Sequence, residues 1–127
     1  MWQAPVIVFV GGGLGAVTRE FLVLVLGSYS SAFPVDIFAA NILASFLLGL
    51  VFGLHQAHRA SDHVALLIST GFCGGMSTFS TFIFGAFSEM TRPGQLGLSL
   101  LYIIASLVVG YSVTWLGLRT AAQLRRA

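Results

Sequence analysis

The residues with the most to offer chemically lie in one stretch, Gly71-Phe-Cys-Gly-Gly-Met-Ser-Thr-Phe-Ser-Thr-Phe82. It combines two adjacent glycines with four hydroxyl side chains inside a long apolar run. Gly74-Gly75 can release the backbone from helical pairing, and carbonyls freed deep in an apolar medium must find protein, water or a cation. The spacing therefore predicts a helix broken at Gly74-Gly75 and a place for an ion. Phe79 and Phe82 are three apart and share a face of any helix that continues past the break. An aromatic ring is negative on its face and positive at its edge, so ring edges turned into a narrow passage stabilise an anion. Taken singly, the same phenylalanines read as lipid contacts.

Other polar side chains fall within apolar segments. Asn41 is the only asparagine in the chain. Its amide can donate to an anion, or it can tie two helices together. Tyr102, Ser106, Gly110 and Thr114 recur every four residues, which puts three hydroxyls on one helix face. That face reads either as a track of donors or as a packing seam. Arg19, beside Glu20, either draws anions into a vestibule or snorkels to the membrane surface. His55, His58 and His63 lack cysteines or a matching acidic pair and read as a solvated loop. Cys73 stands alone, which excludes an intramolecular disulfide, and no partner for a thiol nucleophile is placed near it in sequence. No catalytic set emerges, so the chain does not read as an enzyme.

The elements that position these residues follow from composition. Of 127 residues, 57% are hydrophobic and 8% are charged, against about a quarter charged in a soluble domain. Mean hydropathy is +0.94. Lipid is the expected solvent. Four apolar stretches, at about 6–26, 37–54, 64–87 and 96–118, are each long enough to cross a hydrocarbon core of roughly 30 Å as a helix. Breaks fall at Gly27-Ser-Tyr-Ser-Ser31, at His55–His63 and at Pro93-Gly94, and Pro34 is well placed to open the second stretch. An all-α membrane protein with a single domain over 1–127 is expected. Gly11 and Gly15, Gly49 and Gly53, and Gly71 and Gly75 have the four-residue spacing that lets helices approach closely. The first ten residues carry no basic run, so a cleaved signal peptide is not expected. Arg59, Arg119, Arg125 and Arg126 fall on one side and Arg19 and Arg92 on the other, a four-to-two bias that favours termini inside. No basic stripe with interleaved aromatics suggests nucleic acid.

Gly74-Gly75-Met-Ser-Thr-Phe-Ser-Thr-Phe82 resembles the fluoride channel family, the Fluc or CrcB proteins. A Gly-rich first helix ending in Arg19, Asn41 in the second and the polar face from Tyr102 to Thr114 join it, so the resemblance covers nearly the whole chain. It implies passive fluoride export across a bacterial inner membrane by an antiparallel, dual-topology homodimer with two pores. By the same resemblance Phe79, Phe82 and Asn41 line the pore. Ser80, Thr81, Tyr102, Ser106 and Thr114 supply its hydroxyls. Gly74 and Ser77 hold a central structural sodium (Na+) through backbone carbonyls. The chain departs from the family at Gly85, where many relatives carry an acid, and at Gly110, where relatives carry a serine. The arginine bias is a third departure, since a dual-topology protein inserts both ways.

Two rival readings share the four-span layout. A small dual-topology multidrug exporter needs a carboxylate deep in the membrane, whereas Glu20, Asp36 and Glu89 all lie near span ends. A non-transporting membrane scaffold accounts for the glycine seams but leaves Asn41 and the break without a task.

Overall fold

The computed structural model describes residues 2–29 and 33–126. Ser30 and Ser31, the end of the first polar break, lie outside the described residues. Among the described residues every regular element is helical. Helix α1 spans Gln3–Leu26 and runs into a short 3₁₀ turn at Gly27–Tyr29. Helix α2 spans Val35–Gln56. Pro34 precedes it with φ of −72°, already near helical, and Asp36 puts a negative charge in its first turn. The third span starts with α3, Asp62–Ala65, capped by Ser61, whose hydroxyl accepts from the Val64 N–H. It widens into a π-helix at Leu66–Cys73, closes again as α4 at Gly74–Met76, and resumes as α5 at Phe79–Thr91. After a turn in which Gly94 takes φ of +76°, α6 runs over Leu96–Arg126.

Among the described residues four helical segments are long and apolar enough to cross a membrane. The first three extend beyond both ends of the apolar stretch read from sequence, and the fourth starts at Leu96 as expected and continues past residue 118 to Arg126. The protein is thus a multi-pass membrane protein, and residues such as Phe9, Leu24 and Leu107 point outward, where lipid is the natural neighbour.

The expected break does not fall on the glycines. Gly74 has helical φ and ψ of −63° and −37°. Extended backbone begins at Ser77, with ψ of 154°, and continues through Thr78, with φ of −151° and ψ of 126°. Gly75 serves packing instead, while Gly74 has open space around it. A Cβ on Gly75 would strike the carbonyl oxygen of Gly12, and one on Gly15 would strike that of Phe72. Small residues thus seal the first span against the third. The second is sealed against the fourth in the same way, with Gly49 on the Thr114 carbonyl and Gly117 on the Phe46 carbonyl. Ala40, Ala44, Cys73 and Met76 fill the space where the second and third spans meet.

Candidate functional site

The Ser77 N–H still serves the Cys73 carbonyl at 2.9 Å, and the helix is interrupted at the next residue because the polar groups of Thr78 find partners outside it. The Thr78 N–H donates to Asn41 Oδ1 at 2.8 Å, and Asn41 Nδ2 donates to the Thr78 carbonyl at 3.2 Å. In a continuous helix that N–H would serve the Gly74 carbonyl. The Thr78 hydroxyl caps α5 by accepting from the Thr81 N–H at 3.3 Å, which withdraws the donor that would have served Ser77. The carbonyls of Gly74 and Ser77 therefore both lose their helical donors. Gly75 is treated differently: Arg19 Nη1 donates to its carbonyl at 2.9 Å.

The break thus has two chemical faces. The last carbonyls of α4 carry the negative end of a helical segment, and the first N–H groups of α5 carry the positive end. Gly74 and Ser77, with Ala44, Ser69 and Cys73, border a cleft of about 160 Å³. A larger groove of about 290 Å³ is lined by Asn41, Ser45, Ser77, Thr78, Phe79, Phe82 and Ser106.

Of the site residues expected from sequence, Asn41, Ser77, Phe79, Phe82 and Ser106 line that groove. Phe82 is half-buried and packs on Tyr102 with ring centroids 5.2 Å apart, while Phe79 lies 6.1 Å from Phe82 and is 76% exposed. Tyr102 is wholly buried, and its hydroxyl, like that of Ser106, has no hydrogen-bond partner among the described residues. Buried hydroxyls without partners are uncommon and point to a ligand or water. Ser80 and Thr81 sit exposed in the first turn of α5 in a hydroxyl cluster with Thr78, at 3.3 Å each.

Thr114 stands apart from the groove. Its hydroxyl proton is shared between the carbonyls of Gly110 at 2.9 Å and Ser45 at 3.3 Å, so it joins the seam between the second and fourth spans. Ser45 was not picked out from sequence. Its signal was its place four residues after Asn41, on the same helix face. Gly85 opens toward Pro34 and Tyr102: a Cβ there would stand 3.4 Å from Pro34 Cγ and 3.7 Å from the Tyr102 ring. A Cβ on Gly110 would stand 3.9 Å from Ser45 Oγ.

Apart from Arg19 at the break, paired charges sit toward the ends of the spans. Glu89 is buried near the end of α5 and pairs with Arg92 at 3.3 Å. His55 Nε2 meets Asp62 Oδ1 at 2.8 Å, which ties the second span to the third.

Fold and site together define a class: a multi-pass membrane protein whose third span is interrupted midway along its length, at Ser77 and Thr78, with polar groups gathered around the interruption. The family model described as "CrcB-like protein, Camphor Resistance (CrcB)" matches residues 6–118, and the chain belongs to that family. It is 45% identical over 113 residues to "Fluoride-specific ion channel FluC 3" of Yersinia pseudotuberculosis, covering 89% of this chain and 84% of that one. It is also 45% identical over 112 residues to "Fluoride-specific ion channel FluC" of Pyrococcus furiosus, covering 87% and 89% of the two chains. A relative of the same kind from Brucella abortus, "Fluoride-specific ion channel FluC 1", is 38% identical; the match covers 94% of this chain and 44% of that longer one.

Proposed function

We propose that this protein is a passive, fluoride-selective channel, not an enzyme, that lets cytoplasmic fluoride leave the cell across a bacterial inner membrane. The observation that carries the reading is the pair of buried hydroxyls, Tyr102 and Ser106, without a hydrogen-bond partner among the described residues: Ser106 lines the groove with Asn41, Phe79 and Phe82, and Tyr102 packs on Phe82. Fluoride is small and strongly hydrated. A path for it must replace water with donors while holding the ion loosely enough to release it. Hydroxyls, the second N–H of the Asn41 amide and the positive edges of two rings meet that need. Ser80 and Thr81 extend the donors along the first turn of α5. The names borne by the relatives agree with this reading.

The channel acts as an antiparallel, dual-topology homodimer. Four helices enclose little by themselves, and Phe79 is 76% exposed beside a groove that a second copy would wall off. A structural sodium ion suits the other face of the break. The carbonyls of Gly74 and Ser77 have lost their helical donors, and two copies would offer four such oxygens, a set that suits a hard monovalent cation. Such an ion supplies a fixed charge at the dimer centre and takes no part in moving fluoride. A proton-coupled multidrug exporter is disfavoured because Glu89 lies at a span end, held by Arg92.

Fluoride efflux from liposomes holding the purified protein tests the proposal. With charge balanced by a cation ionophore, fluoride should leave and chloride should stay far behind. Equal efflux of both ions, or a strict need for a proton gradient, would overturn it.

A further inference from the structure

We propose that Arg19 is a positioning residue of the break and not a lure for anions, an inference that rests on the channel reading above. The guanidinium is partly buried and reaches 56 residues along the chain to the Gly75 carbonyl, at 2.9 Å. A lure would stand solvated and free of the backbone. The contact arises from the same packing that demands glycine. Gly75 lies on Gly12 and Gly15 lies on Phe72 without room for a Cβ, and Arg19 is one helical turn beyond Gly15. The seam therefore delivers the guanidinium to the last turn of α4.

The Gly75 carbonyl lies in sequence between those of Gly74 and Ser77, which have lost their helical donors. Arg19 occupies the middle one with a charge-assisted bond, which removes Gly75 from the oxygens open to a cation. On the other lip of the break Asn41 holds Thr78 by both its N–H and its carbonyl. The first span thus fixes one side of the interruption and the second span fixes the other. Arg19 sets which carbonyls turn inward and, through them, where the first turn of α5 presents its donors.

Arg19→Lys and Arg19→Met separate this role from a lure. Lysine keeps the charge but replaces a planar, weakly hydrated fork with a strongly hydrated point charge. Both variants should lower fluoride efflux by about tenfold or more, the scale of one lost charge-assisted hydrogen bond. The deficit should not shrink at high ionic strength, which would screen a lure. In both, amide hydrogen exchange should rise over residues 77–81 while the rest of α1 and the elution volume stay unchanged. If Arg19→Lys conducts like the parent and exchange over 77–81 does not move, the positioning role is wrong. If the parent conducts no fluoride yet both variants loosen 77–81, the channel reading fails and the clamp stands.

Discussion

Asn41 holds Thr78 by both of its backbone polar groups, taking the N–H on Oδ1 and offering Nδ2 to the carbonyl. One side chain thereby supplies the acceptor that the Thr78 N–H would otherwise find in the helix and adds a donor to its carbonyl, and the remaining Nδ2 hydrogen is left at the groove. Asn41→Leu should leave the Thr78 N–H unpaired, a cost of about 1–3 kcal/mol for a buried group. A lower melting temperature and a loss of fluoride efflux are expected together. Parent-like efflux from the Leu variant would separate the amide from conduction.

Phe79 and Phe82 offer a test of ring edges against bulk. Phe→Ile keeps much of the apolar volume and removes the quadrupole, and an apolar swap of this sort usually costs less than about 1.5 kcal/mol in stability. In the proposed channel either substitution should cut fluoride flux by at least about tenfold, the rate equivalent of roughly 1.4 kcal/mol. Phe84 and Phe87, exposed on the outer side of α5, are the controls and should accept Ile. Conduction at the parent level in both Phe79→Ile and Phe82→Ile would remove ring edges from the mechanism.

Two hydroxyls on α6 should behave differently although they share a helix face. Ser106 Oγ has no partner among the described residues, whereas the Thr114 proton rests on the Gly110 and Ser45 carbonyls. Ser106→Ala is expected to slow fluoride efflux. Thr114→Val is expected to leave the rate near the parent's and to cost about 1 kcal/mol of stability, the usual net worth of a hydrogen bond. A reversed order would place Thr114 on the ion path.

The glycine seams predict a sharp contrast in tolerance. Gly75→Ala and Gly117→Ala push a Cβ into backbone oxygens, and overpacking of that kind costs about 1–3 kcal/mol or more. Gly97, at the start of α6, has open space around it. Gly97→Ala should fold normally and gain slightly from helix propensity, by up to about 1 kcal/mol. Yield of monodisperse protein and melting temperature in detergent would rank the three.

Dual insertion is testable at the far end of α6. Ala122 is exposed, and the native Cys73 is buried and should stay silent to a membrane-impermeant thiol reagent. Ala122→Cys should label from both sides of the membrane. Labelling from the inside alone, in an active protein, would favour the orientation that the arginines suggest.

The four spans were legible because apolar length against bilayer thickness is a coarse signal, and the helices only extended it. The place of the break was not. Two adjacent glycines look like a weak point, but Gly75 lacks a side chain for the approach of α1, and Gly74 beside it stays helical. The interruption instead follows the hydroxyls, where Thr78 finds Asn41. That choice depends on a contact across 37 residues, which no local pattern contains. Asn41 itself was visible as a lone amide in an apolar run, though its partner was not. Arg19 was noticed for its charge, and its hold on Gly75 lay equally out of reach. The spacing of Tyr102, Ser106 and Thr114 gave a common face, yet a face runs the length of a helix while its neighbours change along it. Thr114 meets the second span where Tyr102 meets Phe82.

The unequal lengths of the helices have a consequence for the lipid. With 31 residues, α6 measures about 46 Å, against a hydrocarbon core of roughly 30 Å. Near its end the Arg119 guanidinium lies 4.7 Å over the Trp115 ring, a pairing of the kind that settles at headgroup level. It acts as a depth gauge, anchoring that end of the helix in its leaflet. A thinner or thicker bilayer must then be accommodated by tilt of the whole helix or by shifts at its opposite end, around the Gly94 turn that joins it to α5. Acyl-chain length thereby becomes a mechanical input to the segment that carries Phe79 and Phe82.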